Sequence, residues 1–391
     1  MVLSTQQLLY LNVLMNSDAL CGDSFGGGRS VRELAEGMQE KNPKERKILE
    51  NILADEHLRE VRMLRSACED WGAGYGVFAD GDDEMIVAFR GTTTGAEWYD
   101  NFAAANLADS AQQRAALAYL EGLNLAGYET VTVTGHSKGG NKAMYCAAVS
   151  DRVDRCVSFD GQGFSDAFAE KYARQIAERG DGIENHCAGG DYINVLLNGI
   201  GKTYYYETYN PSGNFFLNHE LTAMCDDEGN MRPGAQTPEA REFGAFANAY
   251  LRALPMQWRD STLDMLGKAM ALLLKGDAKV AGASDLLALL RQRRYRRELS
   301  FLLAYVIRYE RDTGIPVGLL RGLLANLKAD HPLRKIGDEL LDILAWQAEN
   351  PLALWGIASG ADALVKDADW SYILELISDA AWLSNRIERS T

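Results

Sequence analysis

The chain has 391 residues, 47% of them hydrophobic, and a formal net charge of -15; that length suits two to three domains with full-sized cores. The acidic balance argues against a nucleic-acid partner, because nothing offsets phosphate repulsion. Six scattered cysteines, Cys21, Cys68, Cys146, Cys156, Cys187 and Cys225, form no Cys-x-x-Cys pair; they fit reduced, buried thiols and argue against a disulfide framework or a zinc site.

From the N-terminus, Met1 to Ser17 lacks a basic start followed by an apolar run and a small-residue cleavage site, so the expectation is a soluble, cytoplasmic protein. The first seventy residues read as helical. Ser30-x-x-Glu33 is a capping box, and Asn42-Pro43-x-Glu45 opens a second helix with proline in its first turn. Ile48, Leu49, Ile52 and Leu53 follow at helical spacing.

The pattern switches at Gly74. Tyr75 to Ala79, a turn at Asp80-Gly81-Asp82-Asp83, and Met85 to Phe89 read as a β-hairpin. Ser110 to Leu125 is helical, Val131 to Thr134 a strand, and Asn141 to Val149 a helix of small residues. Cys156 to Phe159 is a further strand, Phe164 to Arg179 a helix, Ile183 to Cys187 a strand, and Thr203 to Thr208 a tyrosine-rich strand. Strands alternating with helices predict an α/β fold, a mainly parallel sheet with helices on both faces. Beyond the stretch from Gly229 to Pro238 the chain turns helical to its end, with apolar stripes at Leu263, Leu266, Met270, Leu273 and Leu274, and at Leu340, Leu341, Leu344 and Trp346. The reading is an α/β domain over 1–230 and a helical cap or accessory domain over 231–391. The strongest apolar run, Ala269 to Leu274, stops at Lys275, far short of the ~18 residues of a membrane span.

Chemistry gathers at Gly135-His136-Ser137-Lys138-Gly139. A Gly-x-Ser-x-Gly between a strand and a helix holds a serine hydroxyl out on a sharp turn, with a positive helix end aimed where an oxyanion forms. The serine needs a base, and the base needs an acid to fix its tautomer. Of the five histidines, His57 lies in the N-terminal helices, His136 inside the elbow, His186 in a buried strand and His331 far into the helical part. His219, in a loop after the last strand, is the natural base. Asp191, after the Ile183 strand, is the favoured acid and completes the order Ser, Asp, His; Asp160, at the neighbouring strand end, is the alternative. The loop Arg90-Gly91-Thr92-Thr93-Thr94 supplies an oxyanion donor at Thr92, to pair with the Lys138 amide. Arg90 is read as a structural anchor.

Phe89-Arg90-Gly91-Thr92, Glu97-Trp98-Tyr99-Asp100-Asn101-Phe102 and Gly135-His136-Ser137-x-Gly139-Gly140 resemble the fungal-type class 3 lipases of the α/β-hydrolase superfamily. Gly-His-Ser-Lys-Gly-Gly-Asn with Phe-Asp-Gly-x-Gly-Phe looks closer still to the bacterial Mbeg-like proteins, over roughly Gly74 to Met224. The resemblance implies an α/β-hydrolase fold with Ser137 as nucleophile, Thr92 and Lys138 at the oxyanion hole, and Asp191 and His219 as the remaining triad members. It suggests a lid around Trp98. Lys138 stands where lipases carry an apolar residue, and the helical C-terminal region has no counterpart in the fungal enzymes.

The leading expectation is a serine hydrolase of a small-molecule acyl ester, needing no cofactor and no metal. A thioesterase or amidase would use the same triad, and a non-catalytic scaffold would instead bind a partner through its helical half. The basic run Arg291-Gln292-Arg293-Arg294-Tyr295-Arg296-Arg297 is read as a solvated face paired with acids rather than a contact for anionic membrane head groups.

Overall fold

The computed structural model of the chain describes residues 2–16, 28–40, 42–68, 74–92, 100–101, 104–210, 215–274, 289, 292–325, 332–349, 376, 379–380 and 383. Clustering of contacts divides it into two compact units, Met1–Ala240 and Arg241–Thr391.

The first unit is built on an eight-stranded sheet whose spatial order follows the sequence. The strands are β1 (Arg29–Ser30), β2 (Arg62–Cys68), β3 (Gly74–Asp80), β4 (Glu84–Phe89), β5 (Thr130–His136), β6 (Arg155–Phe159), β7 (Ile183–Ala188) and β8 (Lys202–Tyr206). The first four pair antiparallel, and β4 through β8 pair parallel. Each parallel step needs a crossover. Helix α4 (Ala111–Glu121) joins β4 to β5, α5 (Lys138–Val149) joins β5 to β6, and α6 (Asp166–Lys171) with α7 (Ala173–Arg179) joins β6 to β7.

Side chains alternate across a strand, so one strand feeds two cores. Ile86 and Ala88 of β4 face a core closed by α1 (Thr5–Met15), α2 (Val31–Gly37) and α3 (Pro43–Ala54), with Leu8, Leu11, Ile48 and Ile52 fully buried in it. Met85, Val87 and Phe89 face a second core formed with the crossover helices, around Leu120, Ala143, Tyr145 and Phe168. The sheet is therefore covered on both faces, an α/β-hydrolase arrangement. Capping boxes open α1 at Ser4, α2 at Ser30 and α4 at Ser110, and Asn42 caps α3 ahead of Pro43.

Three sequence expectations need correction. Arg62–Cys68 is a strand, not part of a helical N-terminus: a bulge between Met63 and Arg65 breaks the alternation that would have signalled it, and its pairing with β3 creates it. The single helix expected over Phe164 to Arg179 is two, interrupted at Tyr172, whose hydroxyl donates to Asp109 Oδ1 at 2.7 Å. The last strand ends at Tyr206, so Thr208 lies outside it, where its hydroxyl accepts from the Gly190 amide.

The second unit holds α9 (Met256–Leu274), α10 (Arg296–Thr313), α11 (Pro316–Ala325) and α12 (Pro332–Glu349), preceded by α8 (Pro238–Ala253), which begins at the end of the first unit. Phe246, Tyr250, Phe301, Tyr305, Ile307, Leu341 and Leu344 form its core. Trp346 departs from the apolar stripe and is exposed. In the basic run, Arg296 pairs with Asp379 at 2.8 Å and Arg294 stacks over Tyr295 at 4.5 Å; Arg291 lies outside the described residues. Among the described residues no helix is long and apolar enough to cross a membrane.

Candidate active site

The site begins where β5 ends. Ser137 has φ 58° and ψ -121°, a region costly for any residue with a β-carbon, and α5 starts at the next residue. Two glycines permit this turn. A β-carbon on Gly139 would collide with the Phe89 carbonyl, and one on Gly135 would collide with the Gly139 backbone. Here glycine serves close approach rather than left-handed backbone. The first turn of α5 thus rests on the end of β4, where Gly91 leads into Thr92. A β-carbon on Gly91 would lie 3.6 Å from Ser137 Cβ, so the Gly91–Thr92 backbone passes beside the nucleophile elbow.

His219 ends a 3-10 turn, Phe215–His219, and its Nε2 lies 2.7 Å from Ser137 Oγ. Its Nδ1 stands 3.1 Å from Asp191 Oδ1, off the axis of a straight hydrogen bond. Asp191 is almost wholly buried and follows β7; its Oδ1 accepts the Ile193 amide and its Oδ2 the Asn194 amide, both at 3.0 Å. Two tethers hold the histidine segment. His136 Nε2–H donates to the His219 carbonyl at 2.9 Å, and Asn218 Nδ2 donates to the Gly190 carbonyl, beside Asp191, at 2.8 Å.

Electrostatics distinguish the two histidines. Burial and the neighbouring His219 push the His136 pKa down to about 3, so His136 is a neutral donor. Burial also disfavours charge on His219, but the charge and hydrogen bonding of Asp191 outweigh it and raise its pKa above the ordinary histidine value. Asp160, fully buried with φ 47°, has its pKa driven well above the carboxylate range by burial and by the charge of Asp191. The structure thus brings Ser137, His219, Asp191 and Asp160 into one cluster. His57 instead pairs with Asp80 at 2.7 Å, and His186 is buried in β7 against the Tyr206 hydroxyl.

Next to Ser137, the Lys138 amide is the first of α5, and the Gly91–Thr92 backbone passes close by. Asn101 Nδ2 donates to Thr92 Oγ1 at 2.9 Å, and Lys138 Nζ pairs with Asp100 Oδ2 at 2.8 Å. Arg90 is buried, whereas Trp98 and the lid expected around it lie outside the described residues. Residue-type reasoning alone did not assign the roles of Asp100, Asn101, His136, Asn194 and Asn218; each acts through a hydrogen bond or ion pair that only tertiary proximity reveals.

Among the described residues, ring nitrogens of His136 and His219 and a carboxylate oxygen of Asp160 lie within 4.8 Å of one another, close enough to hold a metal ion. His219 already faces Ser137 and Asp191, so a metal there would compete with that pairing. Cys146, Cys156, Cys187 and Cys225 are free and buried.

Residues 64–183 match the Mbeg1-like family. The matched segment runs from β2 to the start of β7 and includes Thr92, Ser137, Lys138 and Asp160. The extracellular phospholipase A1 of Serratia liquefaciens is 29% identical over 118 residues, covering 30% of this chain and 36% of that relative, so the chain spans about a third of the curated protein that it matches. The crystal structure of M37 lipase is similar at 13% identity and a TM-score of 0.32, over 51% of this chain and 71% of that one.

Proposed function

We propose that the chain is a serine hydrolase of carboxylic esters, with Ser137 as nucleophile, His219 as general base, Asp191 as its carboxylate partner, and the Lys138 and Thr92 amides as the oxyanion hole. The 2.7 Å approach of His219 Nε2 to Ser137 Oγ, on a backbone strained to φ 58°, carries this reading. Neither a core serine nor a structural histidine calls for that strain. The similarity to an extracellular phospholipase A1 supports ester hydrolysis.

In this reading the Ser137 hydroxyl proton moves to His219 Nε2 as Oγ attacks the acyl carbon. Negative charge collects on the former carbonyl oxygen, facing the two amides. Collapse passes the proton from His219 to the leaving alkoxide and leaves an acyl-enzyme on Ser137. Water then repeats the sequence, giving up a proton to His219 and releasing the acid. Asp191 balances the imidazolium in both halves. The named residues suffice for each step without a cofactor.

Labelling with a fluorophosphonate probe tests the proposal: the unaltered chain takes up label and Ser137→Ala does not. Equal labelling of both, or of neither, ends it and leaves the scaffold reading. A panel of p-nitrophenyl esters of rising chain length, phospholipid vesicles, acyl thioesters and anilides then fixes the substrate class.

A further inference from the structure

We propose that Asp160 is a positioning residue for His219, a second carboxylate that shares the imidazole with Asp191 and takes over its task when Asp191 is lost. This rests on the serine hydrolase reading and concerns the same site.

The geometry points to it first. Asp160 has no exposure to solvent and is pinned by its backbone, whose amide donates to the His186 carbonyl at 2.9 Å. Its Oδ1 accepts the Ala188 amide at 2.8 Å and Asn194 Nδ2 at 2.9 Å. Asn194 therefore spans both carboxylates, since its own amide donates to Asp191 Oδ2. Asp160 Oδ2 has no hydrogen-bond partner among the described residues, and a buried carboxylate oxygen without one is costly. A carboxylate oxygen of Asp160 lies within 4.8 Å of a His219 ring nitrogen. Asp191, in contrast, spends both oxygens on backbone amides and meets Nδ1 off-axis. The imidazole thus has a second carboxylate within 4.8 Å of a ring nitrogen.

Charge completes the argument. The titratable groups around Asp160 are Asp191, His219, His136 and Cys187. His136 stays neutral, and burial keeps the Cys187 thiol protonated. Two carboxylates then face one imidazole in a buried site, where a single cation can match only one anion, so a proton is retained. Burial and the charge of Asp191 hold that proton on Asp160. Neutralising Asp191 removes one of those two causes. Ionisation of Asp160 then becomes easier, favoured by the charge of the His219 imidazolium, and places an anionic carboxylate beside the ring.

The test is a double-mutant cycle on fluorophosphonate labelling rates of the full chain, with Ser137→Ala as the blank. Loss of a lone triad carboxylate costs about 10⁴-fold in a serine protease. Here Asp191→Asn is expected to fall only about 100-fold short of the unaltered chain, against that 10⁴-fold reference. Asp160→Asn is expected to cost about 3- to 10-fold by itself and about 100-fold in the Asp191→Asn background, a strongly non-additive pair. A purely structural Asp160 would cost the same factor in both backgrounds, and that result overturns the proposal.

A pH readout on Asp191→Asn alone guards against a misfolded Asp160 variant. An anionic Asp160 keeps the imidazole midpoint at or above the ordinary value of about 6.5, whereas a buried imidazole without a carboxylate falls well below it. A midpoint well below that value overturns the proposal. Failure of the unaltered chain to label overturns both readings; labelling with a multiplicative cycle overturns only this one.

Discussion

Lys138 and Asp100 form an ion pair, Nζ to Oδ2 at 2.8 Å, with no part of the lysine side chain exposed. The pair sits at the first residue of α5. Burial pushes the Asp100 carboxyl up, but the Lys138 ammonium, the Ser110 hydroxyl and the Gln112 amide outweigh it and hold the group below the ordinary carboxylate range. Removing one partner strands a buried charge. Asp100→Ala is expected to destabilise the chain by about 3–5 kcal/mol, while Lys138→Met combined with Asp100→Leu lies near neutral or gains stability. Urea unfolding of the two variants checks this; equal losses would show that the pair is held for something other than charge balance.

The pH dependence of activity follows from His219. A protonated imidazole cannot accept the Ser137 proton, so labelling and ester turnover are expected to rise with pH as His219 deprotonates. Asp191 raises that pKa, which places the midpoint above about 6.5, the unperturbed histidine value. His136 does not titrate in this range, because its pKa lies at about 3. A pH–kcat/KM profile with its lower limb below the unperturbed value would contradict the arrangement of carboxylates around the ring.

Much of this site was legible because its signals are local. Gly135, Ser137 and Gly139 announce an elbow between a β-branched strand and a small-residue helix, and period-2 runs marked β3, β4, β5 and β7. His219 emerged from the short supply of histidines, and Asp191 from its place after a strand. The strand Arg62–Cys68 was not legible, because its bulge and its arginines hide a pattern that only pairing with β3 stabilises. Nor could spacing show that Asp100, thirty-eight positions before Lys138, neutralises its ammonium. Lys138 read as a departure from the lipase pattern; its meaning lies in a residue that local pattern does not connect to it.

The Asn101 side chain tests how the oxyanion side is held. Its Nδ2 donates to Thr92 Oγ1, while the backbone carbonyl of Asn101 accepts from Gln162 Nε2 at 3.4 Å. Asn101→Ala frees the Thr92 hydroxyl but leaves the Thr92 amide in place. Loss of an oxyanion donor outright costs about 10²–10³ in kcat, so this indirect loss is expected near 10-fold in kcat, with KM little changed. Thr92→Val, which deletes the hydroxyl, is expected to match it. Steady-state kinetics on a short-chain ester separate the cases; a change confined to KM would assign Asn101 to substrate binding instead.

Asp160 also leaves a mark on stability. In the folded chain it holds its proton to higher pH than in the unfolded chain, where an aspartate titrates near about 3.9. Between those two values the folded state binds one more proton than the unfolded state at this position. This group therefore makes stability fall as pH rises through the interval and level off above the folded pKa. Asp160→Asn keeps the shape and the Oδ1 acceptor while removing the titration. Its stability relative to the unaltered chain is expected to be lowest near pH 4 and to improve steadily toward alkaline pH, measured as the difference in unfolding free energy at matched ionic strength. A difference that stays flat across this range would mean that Asp160 is already ionised at pH 5, and that the cluster around His219 carries two negative charges rather than one.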